Sequence, residues 1–296
     1  LRVLITGGTG LLGKAILASA PPNYTIGFTY SKNYLTDFFP GVESFKVDLE
    51  DPDSLVQAIH KFEPTRIIHC AAMGSVDEAE NQREKARRVN VEILKPLIEL
   101  SNKENILFQL ISTNAVYDGE HPPYNEKSER SSVNYYGALK IEAENFVSSE
   151  CKKFVIIRPI LLYGIPLQGR RDNPFSWIYN TLRMGKEIKL VDDVFTMPLL
   201  DSDCAKVCWE AGNFAGESFN VSGPNKLTLY DFALEIAEIF SLDPSLIKPI
   251  KSDTLKTIAP RPRDTSFDIM KIRKILNIEP LKTRDGLAKI KSQLNQ

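Results

Sequence analysis

The sequence predicts an α/β fold, a doubly wound parallel sheet with a smaller C-terminal lobe. Three observations carry this expectation. Short apolar runs rich in β-branched residues alternate with longer amphipathic stretches as far as position 158. A glycine cluster fills the first turn of that alternation, and the rhythm breaks at 164–174, where Gly, Pro and Arg accumulate. Runs such as Arg66-Ile67-Ile68-His69-Cys70 have no polar alternation, as suits strands covered by helices on both faces.

In order, strands are expected at 2–6, 24–29, 43–48, 66–70, 106–112 and 154–158, where apolar and β-branched residues cluster. Helices are expected from 11 and at 53–62, 83–101 and 135–149, where apolar residues recur at helical spacing. Beyond the break, helices are expected at 175–184, 229–240 and 269–276, with prolines at 244, 249, 260 and 262 in the connections. A helix at 202–212 and a strand at 218–221 are expected to return to the first unit. The division is then 1–160 with 199–222 for the first unit, and 161–198 with 223–296 for the lobe.

The 296 residues carry 37 basic and 38 acidic side chains, a net charge of −1, and 43% are apolar. A chain this long buries a sizeable core without staples. The charge balance lacks the basic surplus of a nucleic-acid or membrane-surface binder, so a small-molecule partner is expected. Cys70, Cys151, Cys204 and Cys208 are too few and scattered for a disulfide framework. Cys204 and Cys208 lie one helical turn apart, with no further Cys or His nearby, and read as small buried residues rather than metal ligands. His60, His69 and His121 have no ligand or triad spacing, and His69, in an apolar strand, is expected to be satisfied within the fold. No apolar run approaches the ~18 residues of a membrane span, and no charged-then-apolar leader precedes the first strand, so a cytoplasmic location is expected.

Thr6-Gly7-Gly8-Thr9-Gly10-Leu11-Leu12-Gly13 joins the first strand to the first helix. In that place the glycines let the backbone turn sharply and approach a pyrophosphate, Gly13 lets helix and sheet pack closely, and amides at the helix N-terminus receive the phosphates. Gly7, Gly10, Leu11, Leu12 and Gly13 are therefore candidate dinucleotide-binding residues. The second strand ends in Phe28-Thr29-Tyr30-Ser31-Lys32 without the acid that would take the ribose 2′-hydroxyl of NAD. Ser31 and Lys32 can instead hold a 2′-phosphate, which favours NADP with NAD as the alternative; Lys32 can equally be a solvated loop lysine. Asp48 with Leu49 can contact the adenine, or Asp48 can serve as a helix cap.

Tyr136-Gly137-Ala138-Leu139-Lys140 follows Ile111-Ser112-Thr113 at a strand end. Tyr136 and Lys140, four residues apart, share one helix face. An ammonium about 4 Å from the phenol is worth ~4 kcal/mol at an effective dielectric of about 20, or roughly three pKa units, so Tyr136 is expected to be brought towards working pH. A tyrosine so tuned exchanges a proton with a hydroxyl or carbonyl oxygen. Thr113 would share that oxygen, and Lys140 can also hold a nicotinamide ribose.

With these motifs placed, the chain resembles the extended short-chain dehydrogenases/reductases, most closely the branch of dTDP-4-dehydrorhamnose reductases and methionine adenosyltransferase β subunits. The matching stretches are 6–13, 47–50, 69–80, 88–90, 111–119, 134–144, 158–159, 161–164 and 261–263. The resemblance implies a Rossmann fold, a catalytic set of Thr113, Tyr136 and Lys140, and a cofactor flanked by Ala71, Ala72 and Asn90. It also narrows the chemistry. Dehydratases of the wider family carry Asp-Glu after the catalytic Thr, where this chain has Asn114-Ala115, and epimerases tend to have a fuller C-terminal lobe. The reading is an NADPH-dependent reductase of a nucleotide-linked 4-keto-6-deoxy sugar, with a non-catalytic NADP-binding regulatory subunit as the alternative.

Candidates for the substrate side are Val76, Asn114, the loop at 168–172 with Arg170 and Arg171, the segment 192–198, and Arg261 with Arg263. Arginine forks suit a diphosphate, although a salt bridge to Asp264 is the competing use. Trp177 is expected in the core rather than as a platform for a base. The reductases hold a metal at a dimer interface with an acid in the first helix. Here that helix reads Lys14-Ala15-Ile16-Leu17-Ala18, so a homodimer, if formed, is not expected to be metal-mediated.

Overall fold

The structure, a computed structural model, describes residues 1–31 and 39–295. In chain order its first elements are β1 (Arg2–Thr6), α1 (Leu11–Ala18), β2 (Thr25–Tyr30), β3 (Glu43–Lys46), α2 (Pro52–Phe62), β4 (Arg66–His69), α3 (Val76–Asn81), α4 (Arg83–Arg87), α5 (Leu94–Lys103), β5 (Leu107–Ile111), α6 (Tyr135–Glu150) and β6 (Phe154–Pro159). There follow β7 (Leu162–Tyr163), α7 (Pro174–Arg183), β8 (Ile188–Val191), β9 (Phe195–Thr196), β10 (Leu199–Leu200), α8 (Asp201–Ala211), β11 (Glu217–Val221), β12 (Leu227–Thr228), α9 (Leu229–Phe240), β13 (Ile247–Ile250), α10 (Met270–Ile275) and α11 (Thr283–Leu294).

Seven parallel strands form one sheet in the order β3-β2-β1-β4-β5-β6-β11, the doubly wound α/β arrangement expected. The order reverses at β1, and a doubly wound sheet opens its ligand crevice at the strand C-termini beside that point. Side chains alternate across the sheet. Val3 and Ile5 join Phe28, Ile68, Ile157 and Phe219 under α1 and α8, whereas Leu4, Ile67, Phe108 and Ile156 pack under α2 and α5. The α2 helix shows the sequence logic of the covering layer. Pro52 opens it, Asp53 and the pair His60 and Lys61 suit the two ends of its dipole, and Leu55, Ala58, Ile59 and Phe62 make its buried stripe.

A second core gathers Tyr163 of β7 with Phe175, Ile178, Leu182, Phe232, Ile236 and Ile290 from α7, α9 and α11. The parallel pair β8-β13 lies beside it. Strand β11 pairs with β6 in the large sheet, and the segment with Phe267, Ile269 and Ile272 packs in the sheet's core rather than in the second one. Among the described residues, no helix is long and apolar enough to cross a membrane.

Two expectations are corrected here. The helix expected at 83–101 is interrupted by a π-turn at Arg88–Glu92, which turns Asn90 inward, the kind of local bulge that recurs at functional sites. Trp177 is 44% exposed rather than in the core. The buried stripe of α7 runs through Phe175, Ile178 and Leu182, and position 177 falls on the opposite face.

Candidate active site

The crevice has two joined parts, each of about 520 Å³, which share Cys70 and Gly74 as walls. The first is floored by the glycine loop. Gly7, Thr9, Gly10 and Leu11 line it on one side, Ser31, Val47 and Leu49 on another, and Ala71 and Ala72 on a third. Gly13 lies beneath this floor, where a Cβ would come within 2.3 Å of the Gly7 carbonyl oxygen. Helix α1 therefore sits directly on the loop. No side chain caps its N-terminus and no acid occupies its first turn, so its leading amides are left to a ligand. An uncapped helix end over a side-chain-free cradle fits the pyrophosphate of a dinucleotide.

The structure places the other candidates of this set as follows. Leu12 lines the second cavity rather than the first, because it follows Leu11 around the helix. Asp48 is exposed, and its carboxylate accepts the Glu50 amide at 3.0 Å in a local turn. Asn90 is buried and clamps the loop behind the groove: its Oδ1 accepts the Met73 amide at 3.0 Å and its Nδ2 donates to the Met73 carbonyl at 3.3 Å. Lys32 lies outside the described residues. His69 is satisfied as expected, with Nδ1 at 2.9 Å from the Thr6 hydroxyl, and burial holds it neutral, its pKa lowered to about 3.

The second cavity is walled by Thr113, Asn114, Tyr136, Val76, Phe195 and Arg261 among others. Its geometry begins at the end of β5. The Ile111 carbonyl accepts Lys140 Nζ at 2.7 Å, Ser112 donates to the buried Glu144, and Thr113 presents its hydroxyl to the phenol of Tyr136. Glu144 is held in turn by Arg158, with Nη2 at 2.7 Å and Nε at 2.9 Å, and by Arg130 at 2.8 Å. Burial opposes its charge, but the Arg158 guanidinium together with Ser112 and Arg130 keeps the carboxyl below the usual range.

Helix α6 is brought onto this strand end by two residues of its first turn. Asn134 caps it, accepting the Gly137 amide at 2.9 Å. A Cβ on Gly137 would lie 2.1 Å from the Ala115 carbonyl oxygen, so the glycine inside the Tyr-Gly-Ala-Leu-Lys motif is what allows the helix to seat. Neither Gly137 nor Glu144 was singled out from sequence. The signal for Glu144 was present as its spacing, one further turn beyond Lys140.

The electrostatics differ from expectation. Burial pushes the Tyr136 phenol up to about 12, with only the Thr113 hydrogen bond acting against it. Lys140 does not pull it down, because its ammonium is directed to the Ile111 carbonyl. Burial lowers Lys140 itself to about 8, against the supporting charge of Glu144.

The arginines divide between the two spaces. Arg170 and Arg171 line the glycine-loop groove, not the second cavity, because the 164–173 loop folds back over that groove. Arg261 lines the second cavity and pairs with Asp77 at 2.8 Å, while Asp264 is taken by Lys226.

The fold and its crevice define a Rossmann-type protein of the extended short-chain dehydrogenase/reductase branch. The chain belongs to the family described as RmlD substrate binding domain, whose model matches residues 1–296. It is 28% identical over 298 residues to methionine adenosyltransferase 2 subunit beta of Danio rerio, covering 97% of this chain and 90% of that protein. It is 26% identical to a probable low-salt glycan biosynthesis reductase of Haloferax volcanii, over 97% of this chain and 96% of the relative. Among solved structures, dTDP-4-dehydrorhamnose reductase from Bacillus anthracis, in complex with NADP, superposes with a TM-score of 0.85 at 25% identity over 99% of both chains.

Proposed function

We propose that this protein is an NADPH-dependent reductase of a nucleotide-linked 4-keto-6-deoxy sugar. The observation that carries the reading is the adjacency of two spaces: the cavity walled by Thr113 and Tyr136 and the glycine-loop groove share Cys70 and Gly74 as walls. A carbonyl bound beside Tyr136 is thereby next to the place where a nicotinamide would lie. Similarity to an NADP-bound dehydrorhamnose reductase and to a glycan biosynthesis reductase supports the same class.

Gly7, Gly10, Leu11, Ala71, Ala72 and Leu49 would hold the dinucleotide, with Ser31 at the ribose end and Gly13 beneath the loop. When bound, the nicotinamide supplies the hydride that reduces the ketone. Tyr136, protonated at neutral pH by its burial, donates its proton to the carbonyl oxygen as charge develops there. Thr113 orients that oxygen with a second hydroxyl. Lys140, fixed on Ile111, would have its remaining protons for the nicotinamide ribose. Arg261 and Asn114 belong to the sugar-nucleotide side with Val76, in a wall that residues 161–198 and 223–296 share with 1–160.

The test is oxidation of NADPH, followed by its absorbance, with a panel of nucleotide 4-keto sugars. Turnover with at least one, reduced on the order of 10²–10⁴-fold in Tyr136→Phe, is the expected result. A regulatory subunit that binds NADP without turnover is the second reading, favoured by the similarity to methionine adenosyltransferase 2 subunit beta. Tight NADP binding, no turnover with any sugar and co-purification with a larger enzyme would establish it instead.

A further inference from the structure

The segment at 259–265 lines the second cavity through Arg261, Pro262 and Thr265, and its ties strap it to the elements that carry Thr113 and Tyr136. Asn134, the cap of α6, donates to the Pro260 carbonyl at 3.1 Å, and Asn114, next to Thr113, donates to the Thr265 hydroxyl at 2.6 Å. On the lobe side the Phe195 amide donates to the Arg263 carbonyl at 2.7 Å. The charged tie is Asp77, in the first turn of α3 and adjacent to the cavity residue Val76. Its Oδ1 accepts the Ala259 amide at 3.2 Å and its Oδ2 accepts Arg261 Nη2 at 2.8 Å.

We propose that Asp77 is a positioning residue for anion capture, which holds Arg261 in the cavity wall ready for the diphosphate of a nucleotide-linked substrate. This deepens the reading above and rests on its substrate class. A carboxylate that takes a strap amide and a guanidinium together fixes both the strap two residues before the arginine and the arginine's fork. Arg261 Nη1 also donates to the Ala259 carbonyl at 3.3 Å, so two of its five N–H donors set its orientation and the others remain for an anion in the cavity it lines. The Asp77–Arg261 pair is partly exposed, 37% and 43%, so it is a weak brace that a diphosphate can share without dismantling. Arg171, across in the glycine-loop groove, adds its field to the same carboxylate and helps keep it charged.

The experiment is calorimetric titration of the full chain, saturated with NADP, with dTDP and with UDP as probes. Wild type binds at least one of the two. Asp77→Asn keeps an acceptor for the Ala259 amide but loses the charge, and weakens that diphosphate by about tenfold while NADP affinity and thermal midpoint are unchanged. Asp77→Glu restores most of the loss. Arg261→Gln weakens the diphosphate at least as much, and the double variant Asp77→Asn/Arg261→Gln is no weaker than Arg261→Gln alone, since Asp77 acts through the arginine. Multiplying losses in the double variant, equal losses in Asn and Glu, unchanged or tighter binding in Asp77→Asn, or no diphosphate binding by wild type would each overturn the proposal. Binding that obeys these rules in a protein without keto-sugar turnover leaves Asp77 its role and removes the reductase reading. Turnover without diphosphate binding does the reverse.

Discussion

Lys140 points its ammonium at the main-chain carbonyl of Ile111, 2.7 Å away, and not at the phenol of Tyr136 one turn before it on α6. This anchors α6 to the end of β5, two residues before Thr113. Burial meanwhile keeps Tyr136 protonated, which is the state the proposed role of general acid requires.

Lys140 therefore sets a pH dependence of its own. Its pKa is lowered to about 8 in the fold from 10.5, so the unfolded chain binds the extra proton between those values. Stability linked to this group is lowest below pH 8 and rises as pH climbs through that window, and Lys140→Met is expected to remove the rise in denaturant titrations. NADP affinity should change in the opposite sense, flat below pH 8 and weaker above it as the ammonium is lost. Affinity independent of pH across that range would remove Lys140 from the cofactor site.

His69 predicts acid sensitivity. Burial first, and then the nearby Lys140 charge, lower it from 6.5 to about 3, so the fold keeps it neutral. Its contribution is complete above pH 6.5 and is lost as pH falls towards 3, with a slope of at most about 1.4 kcal/mol per pH unit. Chemical denaturation across this window should show a shallower acid loss in His69→Gln than in wild type.

Gly13 predicts a close-packing effect. A methyl there meets the Gly7 oxygen at 2.3 Å and Gly8 Cα at 2.7 Å, both backbone atoms that cannot rotate away. Gly13→Ala should cost roughly 1–3 kcal/mol of stability and weaken NADP binding, because α1 must lift from the loop that would cradle the pyrophosphate. Fluorescence titration with NADPH and thermal melting measure the two effects separately.

Arg171 and Arg261 should separate by ligand. Arg171 lines the glycine-loop groove and Arg261 the second cavity, the proposed substrate side. Arg171→Ala is expected to weaken NADP on the order of tenfold and to spare a nucleoside diphosphate, with Arg261→Ala showing the reverse. Titration of each variant with each ligand decides it, and a shared loss in both variants would place the two arginines on one ligand.

Much of the scaffold was legible in the sequence because it is written in local rules. The glycine loop and the strand runs declare themselves through backbone sterics and side-chain periodicity, and α9 appears at the expected 229–240. The three two-stranded ladders and α11 were not legible, since their few residues carry little periodic signal and they form only against a partner. The π-turn at Arg88–Glu92 was likewise hidden: an extra residue in a helical turn leaves the hydrophobic pattern nearly intact.

The candidate site divides along the same line. Sequence by itself determined which residue types are available and their spacing along single elements: Tyr136 and Lys140 four apart, Thr113 at a strand end, glycines at a βα turn. Only the tertiary structure decided what each faces. It moved Arg170 and Arg171 to the glycine-loop groove, gave Arg261 to Asp77 rather than Asp264, and turned Lys140 towards Ile111. The physical reason is that charge and hydrogen-bond partners act through space over a few ångströms, and segments far apart in the chain become neighbours only once the sheet and its strap are assembled.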